Sequence, residues 1–145
     1  MGEVRAKITL KNGSDIVLAR NGHISDQNIR SAIVNAVVDT GAVTLVMGEK
    51  LRKELGLAII KVQTATLAGG SKTYSKITEP VEIHWNDRTS SVQAWVLPEE
   101  EDVLLGQIPL EEMDLIVDPK KQELIGAHGD EQVTYIRGGI KLIEE

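Results

Sequence analysis

Asp39, Thr40 and Gly41 are the residues of this chain whose types and order suit chemistry. They follow the apolar stretch Ala36-Val37-Val38 and lead into Ala42. A carboxylate set directly after an apolar strand is an odd arrangement for packing alone. Burial of an ionised carboxylate is costly unless it is paired or hydrogen-bonded, or unless it takes up a proton. Thr40 and Gly41 supply what such a group needs: a hydroxyl, and backbone N–H groups that no Cβ obstructs. By itself the tripeptide is a weak signal, arising by chance in roughly a few per cent of chains this long. An Asp that opens a turn after a strand, with Gly providing the bend, accounts for it as well.

Other constellations fall away. His23, His84 and His128 lie far apart and lack His-x-x-x-His spacing, so they read as surface or hydrogen-bonded histidines, and neither metal nor cofactor is expected. The run Glu99-Glu100-Glu101-Asp102 lacks the Gly and alternating oxygen ligands of a calcium loop and reads as a solvated turn. Gly69-Gly70 is not followed by Lys-Ser/Thr and a helix, which excludes a phosphate loop. Ser31, Ser71, Ser90 and Ser91 have no Gly-x-Ser-x-Gly elbow. With zero cysteines, disulfides, thiolate metal sites and cysteine nucleophiles are excluded together. Trp85 and Trp95 sit on expected strands and read as core or interface.

The elements that must position Asp39 belong to one domain, residues 1–145, of 145 residues. Sixteen Lys+Arg against twenty-two Asp+Glu leave a net charge of −6, which argues against nucleic acid or an anionic membrane as partner. Two Trp, two Tyr and no Phe offer little for base stacking. Residues 1–10 lack the apolar core of a signal peptide and no apolar run is long enough for a membrane span, so a cytoplasmic location is expected.

Most of the pattern is strand. Val4, Ala6, Ile8 and Leu10 alternate with polar residues, Asn12-Gly13 suits a hairpin turn, and residues 16–19 read as the returning strand. Residues 20–30 form a polar loop, and the apolar run 32–38 suits a strand buried on both faces. Met47, Leu51 and Leu55 recur at helical spacing, with Glu49 and Lys53 at i and i+4 and Gly56 as terminator. Residues 59–68 and 72–77 flank Gly69-Gly70 as a polar, projecting hairpin. A third hairpin turns at Asn86-Asp87-Arg88, and residues 98–102 break the sheet. Residues 103–106 form a short buried strand, and Pro109 opens a helix at its first position. Residues 115–117 and 123–125 flank a turn, and strand-like stretches recur over 132–143. About ten short strands and two short helices make an all-β domain, a barrel or sandwich.

The order of these parts resembles the retropepsin-like aspartic proteases: an apolar strand into Asp39-Thr40-Gly41-Ala42, a flap hairpin at residues 62–77, and Val103-Leu104-Leu105-Gly106 entering a helix at residues 108–113. Residues 104–119 are similar to a stretch found in a branch of short prokaryotic members. The resemblance covers about residues 3–125 and leaves 126–145 as a C-terminal extension.

The resemblance implies a closed acid-protease-like β-barrel working as a two-fold homodimer on peptide or protein substrates. Peptide hydrolysis without metal or covalent nucleophile needs a base to activate water and an acid to protonate the departing nitrogen. Two adjacent carboxylates sharing one proton do both, as in aspartic proteases at large. This chain has a single Asp-Thr-Gly, so the dyad requires two chains.

The resemblance further implies that Asp39 is catalytic, that Thr40 locks the two loops across the dimer, and that the Gly41 backbone contacts dyad and peptide. Ala42 would accept substrate main chain, Ala68, Gly69 and Gly70 would form the flap tip, and Val103, Leu104 and Leu105 would pack behind the loop and line subsites. Retroviral members carry an Asp–Arg ion pair where this chain has Val43 and Gln107. Both charges are absent together, so neither is left buried alone. Residues 4–10 or the tail, with Val133, Tyr135, Ile136, Ile140 and Leu142, would supply interface strands. Two functions stand: an aspartic endopeptidase acting on extended peptides, or a dimeric retropepsin-fold module that binds peptide without cleaving it.

Overall fold

The computed structural model describes residues 3–134 and Ile136. In chain order the elements are β1 (Arg5–Asn12), α1 (Gly13–Arg20), a 3-10 turn (Asp26–Asn28), β2 (Ser31–Val38), β3 (Leu45–Met47), α2 (Glu49–Glu54), β4 (Ile59–Thr66), β5 (Lys72–Trp85), β6 (Arg88–Val96), β7 (Leu104–Leu105), α3 (Gln107–Glu112), β8 (Leu115–Asp118) and β9 (Glu123–Gly126). The fold is all-β with short helices at its edges. Seven strands form one sheet in the order β1-β2-β7-β3-β6-β5-β4, and it returns on itself because β1 also pairs with β5. The ring encloses Ile8, Leu10, Leu45, Met47, Val81, Ile83 and Leu105, which are fully or nearly fully buried. The alternation of β1 is realised: Ala6, Ile8 and Leu10 face this core while Arg5 and Lys7 face solvent. Among the described residues no helix is long and apolar enough to cross a membrane.

Three local expectations are corrected. Asn12-Gly13 does not turn a hairpin. Asn12 caps α1, its side chain accepting from the Asp15 N–H, and the segment expected as a returning strand is helical. A short apolar run reads equally as strand or helix, and here the cap and an acidic first turn decide. Gly13 is needed for close approach, since a Cβ there would overlap the Pro80 carbonyl. The second correction concerns β2, which pairs with β1 along its length but with β7 only at Val37 and Val38. Ala32 and Val34 pack against the core, whereas Ile33 points to the opposite face and stands 66% exposed, so the strand is not buried on both faces. The third is Pro109, which occupies the third helical position after the Gly106 N-cap. Proline is tolerated there because first-turn N–H groups have no intrahelical acceptor.

Gly56 ends α2 as expected, at φ +63, with Gly56 N–H on Lys53 O and Leu57 N–H on Arg52 O. Glu49 pairs with Arg52 and Lys76 rather than with Lys53. Arg88, expected in a turn, is instead the buried first residue of β6. Its guanidinium donates to Met113 O, Asp114 O and Gly129 O and so ties the chain beyond Gly126 to the body. Asp114 adds to that tie, its carboxylate accepting from the Val133 N–H and lying 2.6 Å from His128 Nδ1. Most of the strand expected over 132–143 lies outside the described residues.

Asp15 anchors α1. It accepts from Arg30 Nε at 2.8 Å, from Arg30 Nη2 at 2.9 Å and from the Arg30 backbone N–H at 2.9 Å. The Arg30 guanidinium hydrogen bond holds the Asp15 carboxyl below the usual carboxylate range, against the opposing pull of burial. A lowered folded value means the contribution is present above the unfolded value, about 3.9, and is lost as pH falls through the folded one. Because Arg30 is half-exposed, Asp15→Asn is expected to cost only about 1 kcal/mol near pH 7. In urea titrations the gap from the parent should close as pH drops below about 4; a gap that holds or widens in acid contradicts this assignment.

Candidate active site

The strand β2 delivers Asp39 to a loop fixed on both sides by backbone hydrogen bonds. Val37 N–H donates to Val103 O at 2.8 Å, Val38 N–H to Val4 O at 2.8 Å, and Asp39 N–H to Leu105 O at 3.0 Å. Beyond Asp39, Ala42 O accepts from Gln107 N–H at 2.8 Å and Val43 O from Ile108 N–H at 2.9 Å. The first N–H groups of α3, which lack intrahelical acceptors, thus hold the loop carbonyls. Gly106 permits this approach: a Cβ would stand 2.6 Å from Ala42 O and nearer still to Thr44 O.

Within the loop Gly41 N–H donates to Asp39 Oδ1 at 2.9 Å and Ala42 N–H to Asp39 O at 3.0 Å. Asp39 opens a turn, and that turn orients its carboxylate. Among the described residues Oδ2 accepts no hydrogen bond and remains available. Asp39 is half-buried.

Asp39 borders a cleft of about 440 Å³. One side is the Asp39 loop with Gly41, Ala42, Val43 and Thr44. The other is the end of β4 and the start of the following turn, with Ala65, Thr66, Leu67 and Ala68; Val46, Trp95, Leu97, Glu100 and Leu104 complete it. The β4–β5 hairpin projects as expected, with Ile60, Val62 and Tyr74 exposed. Its tip closes through Leu67 N–H on Ser71 O and Gly70 N–H on Leu67 O. Gly69 and Gly70 take φ of +92 and +89, which side chains disfavour.

Against this geometry, a family model described as aspartyl protease matches residues 24–107, which span β2, the Asp39 loop, the projecting hairpin and β7. The chain belongs to the retropepsin-like aspartyl protease family. No curated protein matches it.

Of the residues expected at the site of this family member, Asp39, Gly41, Ala42, Ala68 and Leu104 meet at one cleft. Thr40 is exposed beside it, and Gly69 and Gly70 lie at the hairpin tip beyond the cleft's border. Val103 and Leu105 are buried in the core behind the loop and do not border the cleft, so of the three apolar residues only Leu104 is placed to touch a ligand. Among the cleft residues that sequence reading does not place there, two carry chemistry. Trp95 is half-buried at its edge rather than in the core, because β6 turns this side chain away from the ring interior. Glu100, in a run that reads as a solvated turn, stands in the cleft wall. The aromatic and acidic residues just before the Val103-Leu104-Leu105-Gly106 motif were the available signal.

Proposed function

We propose that this chain is an aspartic endopeptidase that hydrolyses peptide bonds in extended peptides or unfolded protein segments, acting as a cytoplasmic homodimer. The observation that carries the reading is Asp39, oriented by its own turn, at a cleft bordered by a projecting hairpin. With one Asp-Thr-Gly per chain, the second carboxylate is Asp39 of the partner subunit. Two facing carboxylates share one proton, since both cannot ionise at close range. The ionised one takes a proton from water as the oxygen attacks the peptide carbonyl. The protonated one supports the developing oxyanion, and a proton then passes to the departing nitrogen as the C–N bond breaks. No cofactor or metal enters this chemistry. The hairpin strands would hold an extended substrate by main-chain hydrogen bonds and close over it.

Features beside the loop support pairing of two copies. Val43 and Ile108 are apolar and 59% and 43% exposed, and the Ile108 N–H to Val43 O bond sets them side by side. The Thr40 hydroxyl, exposed beside Asp39, is free to bond across a two-fold axis. Specific activity should therefore fall on dilution, in step with the loss of dimer mass in sedimentation. Full activity at a monomeric mass would refute the two-chain dyad. The reading as a whole is tested by cleavage of a diverse peptide mixture by the parent and Asp39→Asn over roughly pH 4–7, where a shared-proton dyad operates. Cuts made by both proteins, or by neither when both are folded and dimeric, would favour the non-catalytic peptide-binding module.

A further inference from the structure

We infer that Glu100 and Trp95 make this cleft select a lysine or arginine side chain in the peptide it accepts. The inference rests on the endopeptidase reading above and specifies its substrate class. Among the described residues bordering the cleft, Asp39 and Glu100 are the ionisable ones; both are acids, and the remainder are apolar, glycine or threonine. Glu100 makes no ion pair within the described residues. Arg5 is engaged by Glu3 and Asp102, and Lys76 and Arg52 by Glu49. Lys50 borders a separate depression that Glu100 also touches, but forms no ion pair with it.

The position of Glu100 is set by the backbone. Its N–H donates to Leu97 O at 3.2 Å, and its Oε2 accepts from the Asp102 N–H at 3.3 Å. Its carbonyl lies so close over Gly48 that a Cβ there would overlap it. An unpaired carboxylate held in place this way loses little freedom on meeting a cation. The cleft that Glu100 borders is also lined by Trp95, Val46, Leu97 and Leu104, an apolar and aromatic surface. Lys and Arg combine an apolar stem with a cationic head, which matches that surface and that charge, and an indole face attracts the cation further. A neutral apolar side chain would desolvate the Glu100 carboxylate without pairing it, and an acidic one would meet like charge. The net charge of −6 also draws cationic peptides toward the molecule.

The test uses peptides identical except for Lys or norleucine at one position, moved stepwise across the cleaved bond. At one position the parent should favour Lys over norleucine by about tenfold in kcat/KM, as expected for one partly desolvated charge pair. Glu100→Gln should bring that ratio close to one, and Glu100→Lys should invert it in favour of a Glu-containing peptide. Cleavage with no position favouring Lys, or a preference that survives Glu100→Gln, overturns the inference and leaves the endopeptidase reading standing. If nothing is cleaved, calorimetric binding of the same peptides to the Asp39→Asn protein decides. A Lys preference erased by Glu100→Gln upholds the inference without the enzyme, while equal binding or none overturns it.

Discussion

Asp39→Asn is expected to lower kcat/KM for peptide cleavage by about a thousandfold or more, the scale of a lost general acid–base group. The substitution keeps the shape of the side chain, and the amide oxygen can still accept the Gly41 N–H that now reaches Asp39 Oδ1 at 2.9 Å. The loop should therefore persist. Its other anchors are main-chain bonds from Asp39 N–H to Leu105 O and from Gln107 N–H to Ala42 O, which no side chain alters. On the proposed mechanism, what is lost is the group that takes and returns a proton. In a homodimer the change strikes both members of the dyad at once, so no ionised carboxylate remains to activate water. Thermal unfolding should move little, and dimerisation should hold or tighten as like charges are removed. A variant that retains cleavage within tenfold of the parent would remove Asp39 from the chemistry, wherever the cleft lies.

Gly106→Ala should cost about 3 kcal/mol or more of stability. The backbone at Gly106 has φ −93, a conformation open to alanine, so the cost is steric rather than conformational. The added Cβ would stand 2.6 Å from Ala42 O and 2.8 Å from Thr44 N, and nearer still to Thr44 O. These are main-chain atoms of the segment that carries Asp39, and they cannot swing aside as a flexible side chain does. Relief requires the loop to move away from α3, breaking the Ala42 O and Val43 O hydrogen bonds. Whatever fraction still folds should lose about a further hundredfold in kcat, because a displacement near 1 Å at the reacting group is felt on that scale. Urea unfolding at fixed protein concentration, with kinetics on the same samples, separates the two losses. Parental stability would show that the loop and β7 yield more easily than their hydrogen bonds indicate.

The same locality explains what could be read in advance. The projecting hairpin follows from polar arms and Gly69-Gly70, whose positive φ values are a property of residue type. The burial of β1 follows from strict alternation, and the end of α2 from Gly56. Where two local solutions compete, reading fails. Residues 16–19 suit strand or helix, and the choice is made by the Asn12 cap and by Asp15 meeting Arg30, a partner fifteen positions away. Ile33 is apolar like its neighbours, yet it falls on the face of β2 opposite the core, where nothing in the described residues buries it.

The chemistry divides in the same way. The carboxylate, its hydroxyl and glycine neighbours, the absence of cysteine and the presence of a single Asp-Thr-Gly are set by composition and order alone. Family membership was therefore legible before any fold was known. The walls of the cleft emerge only on folding: Leu104 in, Val103 and Leu105 out, Trp95 and Glu100 at its edge. The reason is physical. A catalytic turn is stabilised by residues within a few positions of each other, so it leaves a motif. A cleft wall is assembled from strands and loops that meet only when the sheet closes, and nothing in the local pattern of Trp95 or Glu100 records which neighbours that closure brings.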